Sequence, residues 1–530
     1  MSVSEGEFVL KMETYQRKFL DTAEVEGHLK TRALRGGVYT LVSQVGNNLI
    51  RMISLMTLGR ILTPADYGTV AMITAITGFI MLFSDLGLSH ATIQRQKLTQ
   101  AQVSNLFWVN LGLALAMMLV VMALAPVLVW FYKKPELLWL TIGSSIGFIF
   151  AGLTVQHQAL MLRQLRFGLQ VVIMIGSTTL GVAVGIGAAW LGAGAWSLVL
   201  IMLVDGLSRM IWVWSAFPWR PSRPSRGSGL ISLLKFGGNL TGFNIVNYFA
   251  RNLDHVLIGR VLGDYVLGLY SRAYELLLFP IRRITAPITS VAVASLSRVQ
   301  NDPVRYRHYF LKTVYLIGLV TFPGVMYLIN LSDVVIRVIL GPRWAEAGVI
   351  FSIMGFSAIF QPVQNTWGWV LVSTGQTNRM FRWGIFSSAV CVISFIVGLP
   401  HGAKGVALSY TIAMLFLLVP SVWYAARRSP VSMGDFFGCL CRPLLATAVM
   451  GISLEFLNRG RANIIGMMRL EDFWRAHVLW GDLMVLGISF LLAAGIYLGC
   501  ICLLARSTKP ITELFDLARD VRHPIPAAAV

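Results

Sequence analysis

Long apolar segments alternate with short polar ones along almost the whole chain of 530 residues. A helix needs about 20 apolar residues to cross a bilayer, and runs of this length predict about fourteen helices. They lie at 37–60, 68–86, 105–131, 137–158, 169–190, 193–216, 236–258, 266–291, 310–335, 348–372, 384–400, 404–425, 438–456 and 480–504. Barrel strands need only about 10 residues, so these runs exclude a membrane barrel. The pattern therefore predicts an all-α polytopic membrane protein.

The sequence also repeats itself at an offset of 200 residues. The segment Gly59–Gly68 (GRILTPADYG) aligns with Gly259–Gly268 (GRVLGDYVLG), and the match continues upstream. The upstream pairs are Gly37 with Gly237, Asn47 with Asn247 and Arg51 with Arg251. Low-complexity membrane helices can match by chance, but parallel repeats build many secondary transporters. The repeat therefore indicates a carrier.

A Pro/Ser/Arg-rich stretch at Phe217–Gly229 resembles a linker and separates six predicted spans from the next six. We expect two pseudo-symmetric six-helix lobes around a central cavity. The divisions are an N-terminal tail 1–35, an N-lobe 36–216 (spans 1–6), a linker 217–234, a C-lobe 235–428 (spans 7–12), two extra spans in 429–505 and a tail 506–530. The extra spans should be peripheral to transport, or else extend a groove for a lipid tail.

Charge is sparse and unevenly placed. Hydrophobic residues make up 56% of the chain and charged residues 13%, about half the share in a soluble domain. The net charge of +20 falls mainly in alternate loops, which places both termini in the cytoplasm and argues against nucleic acid as a partner. Loop 457–479 disagrees with this pattern, and its mixed charge resembles a short interfacial helix. The five cysteines show no metal-binding spacing, so we predict neither a metal nor another cofactor.

Two matching stripes of polar residues lie in predicted spans. On the first span Gln44, Asn47, Arg51 and Ser54 share one helix face, and the seventh span carries Asn244, Asn247, Arg251 and Asp254 at the equivalent positions. A single arginine at the bilayer centre costs about 3 kcal/mol or more, so both stripes should line a shared interior. The alternative is that they only hold the lobes together, or that the arginines reach the interface.

Other intramembrane charges are candidates for ion coupling or for charge pairing. The eighth span carries Arg272 and Glu275 three residues apart, which could simply neutralise each other, and the second span carries Asp85. Asp254, Glu275 and Asp85 are the acidic candidates for ion coupling. Asp205 and Arg209, at i and i+4 in the sixth span, should satisfy each other.

Four motifs resemble landmarks of a known family. They are the eighth-span run with Gly268, Tyr270, Ala273, Pro280, Pro287, Ser297 and Arg298, then LGRILTPADYGTVAM, QALMLRQLRF at Gln158–Phe167 and STGQT at Ser373–Thr377. Together they resemble bacterial Wzx-type oligosaccharide flippases of the polysaccharide-transporter branch of the MOP superfamily, over roughly residues 30–430.

The resemblance implies a V-shaped cavity lined by the first, second, seventh and eighth spans. It also implies that the protein is not an enzyme and exports an undecaprenyl-pyrophosphate-linked sugar unit across the inner membrane, beside a polymerase and export machinery. Forked guanidinium donors suit a diphosphate, which favours Arg51 and Arg251 first and Arg272 second. The amides Gln44, Asn47, Asn244 and Asn247 suit sugar hydroxyls, and rocking of the lobes would alternate access.

Two other functions are compatible with parts of the pattern. Another MOP exporter, of drugs or of lipid II, would share the architecture, although the stripes are net basic and cationic drugs favour acidic cavities. A membrane glycosyltransferase or polymerase would need a catalytic acid, for which Asp66 is the obvious candidate. Its repeat counterpart is Val266, and Asp66 more simply caps the following helix.

The alternate-loop charge pattern predicts a topology that reporter fusions can test. A reporter active only outside the cytoplasm should be active when fused near Lys133 and inactive near Arg223. Activity at Arg223 would reverse the predicted orientation.

Overall fold

The computed structural model describes residues 29–81, 92–93, 98–224, 248, 252–467 and 478–505, and within them the regular structure is helical. The helices are α1 (Leu29–Ile61), α2 (Pro64–Met81), α3 (Gln100–Tyr132), α4 (Leu137–Arg163), α5 (Phe167–Trp190), α6 (Ala195–Ala216), α7 (252–261 as described), α8 (Gly263–Arg298), α9 (Pro303–Asn330), α10 (Ser332–Ile339), α11 (Ala345–Ser373), α12 (Thr377–Gly398), α13 (Gly402–Ala426), α14 (Met433–Met467) and α15 (Val478–Ala505). Single 3₁₀ turns lie at Pro342–Trp344 and Leu399–His401.

This architecture confirms the prediction of an all-α polytopic membrane protein. Ten of the described segments are long and apolar enough to cross a bilayer, and one of them, Thr377–Ala426, contains both α12 and α13. Most of the predicted seventh span lies outside the described residues. The expected interfacial helix in loop 457–479 is not a separate element as far as Met467, because α14 continues through that part of the loop.

The turns in two of the family-like motifs have the same backbone geometry. Between α4 and α5, Arg166 N donates to Met161 O (2.9 Å) and Leu165 has φ +53°. Between α11 and α12, Gln376 N donates to Leu371 O (2.7 Å) and Gly375 has φ +71°. Such a left-handed residue ends many helices, and a leucine there costs about 1–2 kcal/mol relative to glycine. The two motifs, whose left-handed residues are 210 positions apart, therefore end their helices with the same turn.

By packing, the chain divides into two compact units, residues 1–268 and 269–530. In unit 1, Val103, Phe107 and Leu160 belong to a buried cluster that includes Trp219 from the expected linker. Trp219 Nε1 donates to Gln100 Oε1 (2.8 Å). The start of the linker-like stretch is thus fixed against α3 and α4, and its composition alone did not indicate this.

In unit 2 the two last helices pack against α9. Leu319 shares a buried cluster with Met450 of α14 and Tyr497 of α15. The Tyr497 hydroxyl donates to Leu319 O (2.9 Å), and Tyr327 donates to Leu486 O (2.7 Å). Helices α14 and α15 are therefore part of the packed core of unit 2. This packing does not test the prediction that they are peripheral to transport.

A long-range ion pair ties α10 to α15. Arg337 Nε and Nη2 donate to the two carboxylate oxygens of Asp482 at 2.5 and 2.7 Å. The Asp482 side chain is 4% exposed and that of Arg337 34% exposed. The hydrogen bond to Asp482 raises the pKa of the Arg337 guanidinium. Removing one partner leaves the other charge partly buried without its counterion.

We therefore expect Asp482→Asn to lower the free energy of unfolding by about 1–3 kcal/mol, less than for a fully buried pair because Arg337 is one-third exposed. The melting temperature in detergent measures this. Glu455→Gln, which breaks the exposed pair with Arg459, is the matched control and should change stability by less than about 1 kcal/mol. Equal effects of the two variants would contradict the structural role of Asp482.

Candidate functional site

Helix α1 carries a face that packs on α5 and two exposed faces. The packed face includes Gly46, which lies against the side chain of Ile175 of α5. It also includes Ser43, whose hydroxyl lies 3.9 Å from Met174 Sδ. One exposed face is apolar: Val42, Leu49 and Ile53 are 54%, 60% and 58% exposed. A face of this kind suits lipid chains.

The second exposed face of α1 is polar. Gln44 and Arg51 are exposed and lie two helical turns apart on the same side. Asn47 is half-buried, and its Oδ1 has no hydrogen-bond partner among the described residues. Ser54 is buried, so the predicted stripe is fully exposed only at Gln44 and Arg51.

Arg51 is the notable residue of this face. It lies ten residues, or about 15 Å, from the end of α1 at Ile61, which in the predicted first span corresponds to about half the thickness of a bilayer core of about 30 Å. Helix α1 is itself not one of the ten segments apolar enough to count as candidate spans. Within the described part of the chain its guanidinium forms no ion pair or hydrogen bond. An unpaired guanidinium at this depth is tolerated beside water and not beside lipid chains.

Most of the matching stripe lies outside the described residues. This holds for Asn244, Asn247 and Arg251, and also for Asp85. Asp254 is described and 4% exposed, and its Oδ1 accepts a hydrogen bond from His255 N at 2.8 Å. Their roles in binding or ion coupling remain predictions.

On α8, Arg272 and Glu275 form an ion pair. The distance from Arg272 Nη1 to Glu275 Oε2 is 2.6 Å, and the side chains are 23% and 58% exposed. Arg272 is nine residues into α8, about 14 Å from its start, so the pair lies at a depth comparable to that of Arg51 in its own helix. Its charge is already balanced locally, which ranks it behind Arg51 as an anion-binding residue.

The sixth-span pair has the arrangement that its spacing predicted. Arg209 Nη2 donates to both oxygens of Asp205, at 2.9 and 2.8 Å. Ser177 Oγ on α5 adds a third hydrogen bond to Asp205 at 2.7 Å. This network joins α5 to α6 and neutralises both charges.

Asp66 has the capping role that the sequence favoured. Its carboxylate accepts hydrogen bonds from Thr63 N (2.8 Å) and Thr63 Oγ1 (2.7 Å), and Thr63 Oγ1 accepts one from Asp66 N (3.3 Å). This reciprocal arrangement is a capping box at the start of α2. The carboxylate proposed for a glycosyltransferase is thus occupied in helix capping.

The repeat glycines mark a close helix contact whose chemistry the sequence did not reveal. A Cβ added to Gly68 would overlap the carbonyl oxygen of Asp264, and one added to Gly268 would overlap that of Pro64. The four residues are related by the same offset of 200, so the contact is reciprocal. Asp264 also pairs with Lys134 and accepts a hydrogen bond from Thr69 (3.4 Å). Only glycine lets the starts of α2 and α8 approach so closely.

Solved structures place this fold in a known class. The lipid II flippase MurJ, in an inward closed conformation, aligns with a TM-score of 0.66 at 14% identity over 89% of this chain and 99% of that chain. An inward-facing multidrug resistance MATE family transporter of the MOP superfamily aligns with a TM-score of 0.55 at 14% identity over 72% of this chain and 94% of that chain. The fold is that of the MOP superfamily of membrane transporters.

Relatives in sequence identify the family within this superfamily fold. The teichuronic acid biosynthesis protein TuaB of Bacillus subtilis (strain 168) is 27% identical over 422 residues, 79% of this chain and 87% of TuaB. The succinoglycan biosynthesis transport protein ExoT of Rhizobium meliloti (strain 1021) is 25% identical over 495 residues, 93% of this chain and 96% of ExoT. Residues 57–349 match the family described as "Polysaccharide biosynthesis protein". The chain belongs to this family of Wzx-like flippases, as a multi-pass membrane transporter of polysaccharide biosynthesis.

The reciprocal glycine contact predicts a specific intolerance to a methyl group. Gly68→Ala should lower the free energy of unfolding by about 1–3 kcal/mol, because a backbone carbonyl has no rotamer by which to move aside. Gly187→Ala in α5 is the matched control, since nothing lies within 4 Å of its added Cβ. It should stabilise by about 0.5–1 kcal/mol. Thermal unfolding of both purified variants provides the comparison, and a Gly68→Ala protein as stable as Gly187→Ala would refute the contact.

Proposed function

We propose that the protein translocates an undecaprenyl-pyrophosphate-linked oligosaccharide across the bacterial inner membrane, by alternating access, for exopolysaccharide or lipopolysaccharide synthesis. The observation that carries the proposal is Arg51, which is exposed on the polar face of α1, in the predicted first span, and has no ion pair among the described residues. The names of the relatives, which concern teichuronic acid and succinoglycan biosynthesis, support the glycan part.

Arg51 suits the diphosphate for a physical reason. A guanidinium stays charged inside a protein and presents forked donors that match two phosphate oxygens. No carboxylate competes with the diphosphate for this guanidinium, because Arg51 has no acidic partner among the described residues. Arg251, at the equivalent repeat position, and then Arg272 are the next candidates for the same headgroup.

The remaining roles follow from the neutral and acidic members of the two stripes. Gln44, Asn47, Asn244 and Asn247 would hydrogen-bond sugar hydroxyls, which both donate and accept. Asp254, Glu275 and Asp85 are the candidates for ion coupling or for balancing the arginines. We place both termini in the cytoplasm, where polysaccharide assembly enzymes would act on the same lipid-linked unit.

A second candidate function is export of lipid II, favoured by the extent of the match to the MurJ fold. Its polyprenyl diphosphate would use the same arginines, so only the glycan distinguishes the two functions. Complementation of a strain lacking a polysaccharide flippase, compared with one lacking its lipid II flippase, separates them.

Replacing Arg51 tests the shared mechanism. A charged hydrogen bond contributes about 1.5–3 kcal/mol, so Arg51→Gln should lower the translocation rate about tenfold to a hundredfold. Arg51→Lys should recover only part of it, because the forked geometry is lost. The measurement is polysaccharide export in cells that carry the variant as their only copy, with the amount of membrane protein determined in parallel.

Arg305→Gln serves as the control for loss of one positive charge, since its side chain is 74% exposed at the start of α9. It should export at the unmodified rate. Normal export by Arg51→Gln, or a loss explained entirely by less protein, would reject Arg51 as a headgroup-binding residue.

A further inference from the structure

Helix α1 begins beside the α4–α5 turn, which carries Arg166. A Cβ added to Gly36 of α1 would overlap the ring of Phe167, so the first turns of α1 pack directly on the start of α5. Leu29, the first residue of α1, is seven residues before Gly36, or about 10 Å along the helix axis. The chain that precedes α1 therefore starts close to the exposed side chain of Arg166.

Two arginines at this end of unit 1 contact the same residue, Phe217. The guanidinium of Arg166 lies 5.5 Å from the centroid of the Phe217 ring, and Arg220 Nη1 donates to Phe217 O at 3.3 Å. Both arginines are exposed. The guanidinium of Arg166 forms no ion pair and no hydrogen bond with the residues that the structure describes. Its charge is therefore not balanced within that part of unit 1.

A third arginine, Arg223, follows three residues after Arg220 and is positioned through its neighbour Ser222. Ser222 N and Oγ lie 2.9 and 3.0 Å from Ser104 Oγ in the first turns of α3, and Trp108 Nε1 donates to Ser222 O at 2.8 Å. These hydrogen bonds fix the backbone beside Arg223, which is exposed and has no ion pair within the described ranges. We call Arg166, Arg220 and Arg223 the arginine cluster.

The helices that build the arginine cluster supply no free negative charge to it. Residues 98–224 contain two acidic residues, Glu136 and Asp205. Glu136 precedes α4 at the end opposite to the cluster, about 40 Å away along the helix, and Asp205 is paired with Arg209. Guanidinium groups form their strongest hydrogen bonds with carboxylates and phosphates. The cluster therefore favours an anionic partner from outside these helices.

The sequence before α1 has the complementary charge. Residues 1–28 contain six acidic and three basic residues, and neither lysine nor arginine lies between Asp21 and Leu29, a stretch that contains Glu24 and Glu26. Asp21 is eight residues from the start of α1 and so within about 28 Å of it. This reach exceeds the distance of about 10 Å by which α1 extends beyond the α4–α5 turn. A segment tethered so closely has an effective concentration of about millimolar at a site within its reach.

We propose that the acid-rich segment 21–26 binds the arginine cluster of the same chain. Its carboxylates pair with Arg166 and Arg223 and shield this end of unit 1 from other anions. Anionic lipid headgroups are the competing occupant, because basic residues near a membrane surface attract them. The tether favours the segment over a free lipid. This pairing does not depend on which substrate the protein transports.

A zero-length carbodiimide cross-link, which joins a carboxylate to a lysine amine that touches it, tests the pairing. The full-length Arg166→Lys variant supplies the amine and keeps the positive charge. In phosphatidylcholine nanodiscs that hold one copy each, mass spectrometry should find the introduced lysine joined to Asp21, Glu24 or Glu26. About 1 M NaCl should lower the yield about fivefold, because exposed charge pairs are screened.

The matched control is Arg305→Lys, at an arginine whose side chain is 74% exposed at the start of α9. It should give no cross-link to the segment, so an equal yield in the two variants would indicate unspecific contact and overturn the proposal. A segment that is joined only to Lys30 would also overturn it, because α1 itself would then neutralise the acidic residues.

Replacing phosphatidylcholine by phosphatidylglycerol identifies the occupant. A yield that stays within about twofold supports the segment, whereas a tenfold loss would make the lipid leaflet the partner of the arginine cluster. Absence of the cross-link in a monodisperse Arg166→Lys protein would also refute the pairing. The variant is expected to fold, because Arg166 is exposed and lysine retains its charge.

Discussion

The cost of placing a polar group in hydrocarbon determines how this protein is arranged. Every charge within a span needs a counterion, a hydrogen-bonding network or water. Asp205 meets the requirement with Arg209 and Ser177, and Asp482 meets it with Arg337. These pairs fix helices to one another, and their charges are consumed in doing so. They are therefore poor candidates for binding a charged substrate.

Arg51 satisfies the same constraint differently. Its guanidinium is exposed, it lies near the middle of α1, and it has no ion pair among the described residues. In the proposed mechanism, water hydrates the guanidinium until the anionic headgroup replaces that water, which would make the residue both tolerable in the membrane and available to a ligand. Arg272 shows the intermediate case, since Glu275 neutralises it while remaining 58% exposed. The contrast between arginines that are paired and those without an ion pair among the described residues, and not the total positive charge, distinguishes the proposed site from the scaffold.

Sequence reasoning succeeded where the physical cause is local. Helix positions follow from the lengths of apolar runs, and the Asp205–Arg209 pair follows from i,i+4 spacing. The capping role of Asp66 was also predicted, although its partner Thr63 was not. Sequence reasoning failed where partners are distant. Lys134 and Asp264 are 130 residues apart, and no periodicity connects them. The burial of Trp219 in the core of unit 1 was also not predictable, because the prolines and serines nearby give its segment the composition of a linker.

Matching segments of the two halves of the sequence share backbone geometry more closely than side-chain chemistry. The left-handed turn is made by Leu165 in one motif and by Gly375 in the other, with the same hydrogen-bond pattern. At the reciprocal contact both glycines are retained, whereas Pro64 corresponds to Asp264, and only the aspartate pairs with Lys134. Steric fit at a helix crossing admits a single residue type, but a charge can be supplied by either copy. Duplication thus provides a symmetric scaffold on which charges can diverge. The proposed substrate, a lipid with one polar end and one apolar end, would need that asymmetry to be bound in one orientation.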